Sequence, residues 1–159
     1  MQILFASAIG FTMVAIALAM SSPRADAFDG MADARAMNLA VYHQAATRAA
    51  VAAGGASFSG PLTGTSIATE LPSWFAPMQD WRAAADAGFV ATCLLAIPSN
   101  LDVGKTIAAL FVRSANDPGA GAAVSGNFRS ISGLSTSLNG TPLPLACAPG
   151  SPVYVSRIS

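Results

Sequence analysis

The stretch Phe89-Val90-Ala91-Thr92-Cys93-Leu94-Leu95-Ala96-Ile97, closed by Pro98, decides the fold. In an extended chain Phe89, Ala91, Cys93, Leu95 and Ile97 share one side. Val90, Thr92, Leu94 and Ala96 share the other. Both sides are apolar, which predicts a central strand covered on two faces. Pro98 ends it, and Ser99 or Asn100 can cap a helix over about Leu101–Ser114, with Val103, Ile107, Leu110 and Phe111 as its inward stripe. Further on, Asn116-Asp117-Pro118-Gly119 reads as a turn. Val124–Ile131 and Val153–Ile158 read as strands. Between them Asn139-Gly140 is a tight-turn signal, and Pro142, Pro144, Pro149 and Pro152 keep the segment irregular.

Upstream of the central strand, Asp29 or Asp33 can cap a helix from about Met31 to Ala53, rich in good helix formers. Met37, Ala40, Val41, Ala45 and Ala49 lie on one stripe of it, and Gly54-Gly55 ends it. Residues 54–73 are rich in Gly, Ser, Thr and Pro and read as loop. The composition of Met78–Ala87 predicts a second, short helix ended by Gly88. Trp74 and Trp81, with Phe75 beside them, would anchor that helix to the core. The expected architecture is α+β. Residues 1–22 form a transmembrane or signal segment, 23–33 a linker, and 34–159 a small exported domain with an antiparallel or mixed sheet.

From Ile3 to Met20 there is no charged residue. Eighteen residues of helix would span about 27 Å, close to the ~30 Å hydrocarbon core of a bilayer. Ser21-Ser22-Pro23 stops the run, and Arg24 is the first charge. Two readings are open. Ala25-Asp26-Ala27 has the small-x-small pattern of a signal-peptide cleavage site. The apolar run, however, exceeds the usual 7–15-residue signal core, which favours a retained anchor. Either reading exports residues 28–159. The anchor places the domain in the periplasm, held at a bacterial inner membrane through residues 3–20. Cleavage near Ala27 would leave it periplasmic or secreted.

Two cysteines, Cys93 and Cys147, suit one disulfide in an exported chain. Chain-entropy arithmetic for a loop of this length gives about 4 kcal/mol. Eight Lys+Arg balance eight Asp+Glu, and only 10% of residues are charged. That balance excludes a basic nucleic-acid-binding surface. A 53% apolar content excludes a long disordered tail.

The sequence carries little catalytic signal. Gly104-Lys105-Thr106 resembles the end of a phosphate-binding loop, but Ser99 stands where that loop needs its first glycine. The single histidine, His43, has no signature of a nucleophile around it and reads as a surface or interface residue. Neither a zinc set nor a cofactor motif is apparent. Glu70 and the scattered Asp residues form no carboxylate pair.

Gly10-Phe11-Thr12-Met13-Val14 resembles the processing site of type IV prepilins. The leader carries no Lys or Arg, however, Ala15 stands where that family has glutamate, and Ser21-Ser22-Pro23 interrupts the helix. A broader resemblance spans roughly residues 34–156. It is carried by Asn38-Leu39 with Tyr42, by Leu71-Pro72 with Trp81, and by Gly140-Thr141-Pro142-Leu143-Pro144 followed by Gly150-Ser151-Pro152-Val153. With the single apolar N-terminal run, these residues make the chain similar to the PilM family of type IVb pilus systems, often carried on conjugative plasmids. His43 stands where arginine would fit that pattern, and the cysteines lie outside it. The resemblance implies a non-enzymatic inner-membrane accessory protein of pilus assembly, acting in pilin transport or the basal body. Its partners would be other pilus-assembly proteins or pilins, and it implies no catalytic residues.

The alternatives are a minor pilin or pseudopilin processed after Gly10, and a cleaved periplasmic binding protein. The expected partner contact is the exposed face of the first helix around Asn38, Tyr42 and His43. Low charge suits such packing, because interface cores are depleted of charge.

Overall fold

The computed structural model describes residues 30–113, 117–131 and 137–158. The apolar run 3–20, the candidate processing and cleavage sites, the capping role of Asp29 and Asn116 of the expected turn lie outside these residues. Among the described residues no helix is long and apolar enough to cross a membrane.

Helix α1 is described over residues 30–53, so the last residues of the expected linker are helical. Within the unit Ala32–Ser159 there follow β1 (Gly60–Leu62), α2 (Gly64–Ala68), β2 (Trp81–Asp86), β3 (Phe89–Leu94), α3 (Val103–Arg113), β4 (Ala120–Val124), β5 (Asn127–Ser130) and β6 (Pro152–Arg157). The six strands form one sheet in the order β1-β2-β3-β6-β4-β5, with every pairing antiparallel. The expected α+β class holds, and the sheet is antiparallel rather than mixed.

The central strand alternates as its sequence dictates. Val90, Thr92 and Leu94 face the helices. Ala91 and Cys93 face the opposite layer and are buried there, with Phe89 packed at its edge. The strand stops at Leu94, short of the expected Ile97, and Leu95 and Ile97 are exposed in the turn before Pro98. The helix side holds two apolar clusters along α1. Ala45, Ala46, Ala49 and Ala50 pack with Leu62, Ile67 and Val90. Ala36 and Leu39 pack with Trp81, Leu94, Leu101 and Leu110. Small side chains on α1 let the helix lie close on the sheet. Of the expected stripe, Ala45 and Ala49 are buried and Met37 is half exposed, while Leu39 and His43 also point inward.

The expected second helix is a strand. Ala83-Ala84-Ala85 has high helix propensity, but Ala87 and Gly88 both take positive φ (48° and 80°) and close a tight β2–β3 hairpin. Paired between β1 and β3, the alanines sit in sheet because tertiary packing overrides propensity. Val124–Ile131 is likewise not one strand. Ser125-Gly126, also at positive φ, folds it into the β4–β5 hairpin. α3 starts later than expected, because the cap is Asp102 rather than Ser99 or Asn100. The Asp102 carboxylate accepts from the Lys105 amide at 3.0 Å, and its carbonyl accepts from Thr106.

The other face of the sheet is covered by a strap of residues 138–148. It leaves the β5 edge, where the Phe128 amide donates to the Thr141 carbonyl and Gly140 to that of Phe128. Leu143 and Leu145 then pack beside Phe128, Val153 and Val155. The Cys93–Cys147 disulfide fastens the strap to β3, with the Cα atoms 5.8 Å apart, and the Ala148 amide donates to the Leu94 carbonyl. At the opposite edge β1 is only three residues long and has Pro61 at its centre, with no amide proton to offer.

Candidate interaction surface

Of the three residues expected on an exposed face of α1, Asn38 and Tyr42 are partly buried and His43 is buried. His43 is 3% exposed. Its Nδ1 lies 2.9 Å from Thr92 Oγ1 on β3, and its Nε2 lies 2.9 Å from Ser156 Oγ on β6. Thr47, one turn along α1, donates to the His43 carbonyl and lies 3.2 Å from Ser156 Oγ. The ring stacks on Tyr154, with centroids 4.5 Å apart and planes 11° apart. Tyr154 in turn donates to Asp117 Oδ2 at 2.7 Å. Burial pushes the His43 pKa down to about 3, opposed only by the nearby Asp117 carboxylate. The imidazole is therefore neutral, with one ring nitrogen donating and the other accepting. A buried polar group is tolerated only when so satisfied.

Chemically, this arrangement does not form a triad. Ser156 touches the imidazole, but the opposite ring nitrogen meets a hydroxyl rather than a carboxylate, and Asp117 is engaged with Tyr154. At 3% exposure the ring is closed to a substrate. The reading of His43 as a surface residue is corrected: it is a polar pin fastening α1 to the sheet. Apolar neighbours on both faces of β3 hid the significance of Thr92, and nothing in the local sequence marked Ser156, Tyr154 or Asp117.

Asn38 is a clamp. Its Nδ2 donates to the Ala76 carbonyl at 2.8 Å. Its Oδ1 accepts from the Met78 amide at 2.9 Å and from Trp81 Nε1 at 2.8 Å. Tyr42 is half buried against Phe75, at a ring separation of 6.4 Å, and burial raises its phenol pKa against the opposing charge of Arg82. Asn38 and Tyr42 thus hold the segment 71–80 onto α1. The two tryptophans part company. Trp81 is 2% exposed and sits on β2, whereas Trp74 is 73% exposed at the tip of the segment. The expectation that both anchor the core holds for Trp81 only.

Among the described residues, concave surfaces are open on both faces of the sheet. Between α1 and α3 a groove of about 360 Å³ is lined by Met37, Ala40, Val41, Leu110, Arg113 and Tyr154. It is bridged by Arg113 donating to Asp33 at 2.6 Å. On the far face a groove of about 500 Å³ lies between β1–β2 and the strap, with Pro61, Leu62, Ala84, Leu95 and Leu145 around Arg82. Among the described residues no group of three or more His, Cys, Asp or Glu side chains could hold a metal ion. Lys105 of the Gly-Lys-Thr triplet lies on the exposed side of α3.

The arrangement defines a small α+β domain braced by one disulfide and one buried polar cluster, with apolar surfaces left open around α1. The chain belongs to the PilM family, whose model matches residues 4–155. Membership connects the protein with pili. The curated proteins and the solved structures each contain no match to the chain.

Proposed function

We propose that the protein is a non-enzymatic accessory component of type IVb pilus biogenesis, anchored in the bacterial inner membrane through residues 3–20. Its domain faces the periplasm and packs against other assembly proteins or pilins. The observation that carries this reading is the family match across nearly the whole chain, including most of the apolar run. Three features support it. The Cys93–Cys147 disulfide suits an oxidising compartment. The only histidine serves as a buried pin. The α1–α3 groove is mostly apolar, as the core of a packing interface is.

The test is a clean deletion of the gene in its native host. Surface pili are counted by electron microscopy, and the major pilin is blotted in sheared and cell fractions. Loss of pili with pilin retained in the cells is the expected result. Normal piliation would overturn the reading.

A further inference from the structure

The segment Leu71-Pro72-Ser73-Trp74-Phe75-Ala76-Pro77-Met78-Gln79 carries no charge. Trp74 is 73% exposed and Met78 43%, and Ala76 and Pro77 between them are also exposed. An indole turned into water costs free energy that a soluble loop would recover by folding back. Here folding back is prevented. Asn38 grips the segment at Ala76 and Met78, the Phe75 amide donates to the Pro72 carbonyl at 2.9 Å, and Phe75 wedges between Tyr42 and Trp74. The exposure is built in.

The flanking charges cancel. Glu70 pairs with Arg48 at 3.3 Å and Asp80 with Arg82 at 2.9 Å, so the knob approaches a surface with no net charge of its own. Other exposed apolar side chains are placed differently: Val112 adjoins Arg113, and Leu95 lies in the groove with Arg82. Along α1 the segment runs from Arg48, which pairs with Glu70, past Tyr42 against Phe75, to Asn38, which holds Ala76 and Met78.

We infer that the Trp74 knob is a membrane-interface contact, its indole and Met78 entering the headgroup region of the bilayer in which the chain is anchored. This rests on the anchor reading given above. Tryptophan favours that zone because its ring is apolar and its N–H can stay hydrated. A single loop binds a bilayer weakly on its own. Tethering by the anchor raises its effective concentration at the surface, so a weak contact suffices to orient the domain. With no basic residue in the segment, the contact needs no anionic lipid and is insensitive to salt.

The chain has two tryptophans, which makes the test direct. The full chain is reconstituted into neutral phosphatidylcholine vesicles carrying bromine near the headgroup end of the acyl chains. Flotation after carbonate washing and tryptophan emission are then recorded. The expected result is flotation with loss of roughly half of the emission, the Trp74 share, unchanged at high salt. In Trp74→Phe the remaining emission, from buried Trp81, should be unquenched and should report an intact fold. Flotation without quenching overturns the inference and points to a protein partner for the knob. Equal quenching in Trp74→Phe also overturns it, because the signal would then come from Trp81. Failure to float removes the anchor reading, and the inference with it.

Discussion

Acidification should destabilise this domain through His43. The folded state holds the imidazole neutral, with a pKa near 3, because burial between α1, β3 and β6 excludes water. The unfolded chain protonates the same ring near pH 6.5. Protons in that window therefore bind the unfolded chain in preference. The stability conferred is intact above pH 6.5 and is lost as the pH falls from there towards 3. The slope approaches 1.4 kcal/mol per pH unit for one proton. Between pH 7.5 and 4.5 the loss is about 3 kcal/mol, a large share of a marginal 5–15 kcal/mol. The assay is urea denaturation across that range, with His43→Gln as control, since glutamine offers a donor and an acceptor but does not titrate. The difference between the two proteins should shrink, or reverse in sign, by about 3 kcal/mol on acidification. As the only histidine, His43 also gives an unambiguous proton-NMR titration. A difference independent of pH, or a native-state titration midpoint near 6.5, would refute the reasoning.

Asn38→Ala should leave the Met78 amide, Trp81 Nε1 and the Ala76 carbonyl without their partner. A loss of about 2–3 kcal/mol is expected, with faster hydrogen exchange at Met78. Reduction of Cys93–Cys147, or its replacement by serines, should cost up to about 4 kcal/mol for a 54-residue separation. Thermal denaturation with and without reductant reads that loss, and a negligible shift would show that the strap holds without its staple. Gly121→Ala should cost about 3 kcal/mol or more, because a Cβ there would run into the Arg129 carbonyl and lie 2.7 Å from the Phe128 ring. A soluble, normally stable variant would refute that account.

Much of the fold was legible where periodicity and length agreed. The two-faced strand from Phe89, the extent of α1 and the last strand all followed from pattern alone. The errors have identifiable physical causes. Ala83-Ala84-Ala85 carries no β-branching, and only its place between two strands makes it extended. Ala87-Gly88 and Ser125-Gly126 are hairpin turns whose residues adopt positive φ, and the Ser-Gly pair was a readable turn signal.

The candidate surface was less legible. An alanine-rich helix has apolar residues on every side, so sequence does not say which stripe meets the sheet. The structure chose the side bearing Leu39 and His43, since the Thr92 and Ser156 hydroxyls are there to satisfy the imidazole. Of the expected contact residues, His43 is turned inward, and Asn38 and Tyr42 are partly buried. Tyr42 and His43 together are thus unsuitable for testing partner binding, because replacing both would strip α1 from its seat.

Both margins of the sheet are shut. At β1 the central proline offers no donor to an incoming strand, and at β5 the neighbouring position is taken by residues 140–142 of the chain itself. Fibre growth by strand addition requires an open ladder on at least one side. Neither edge of this sheet is therefore laid out as a template for an added strand. Among the described residues, what such a sheet leaves for contact is its side chains rather than its backbone.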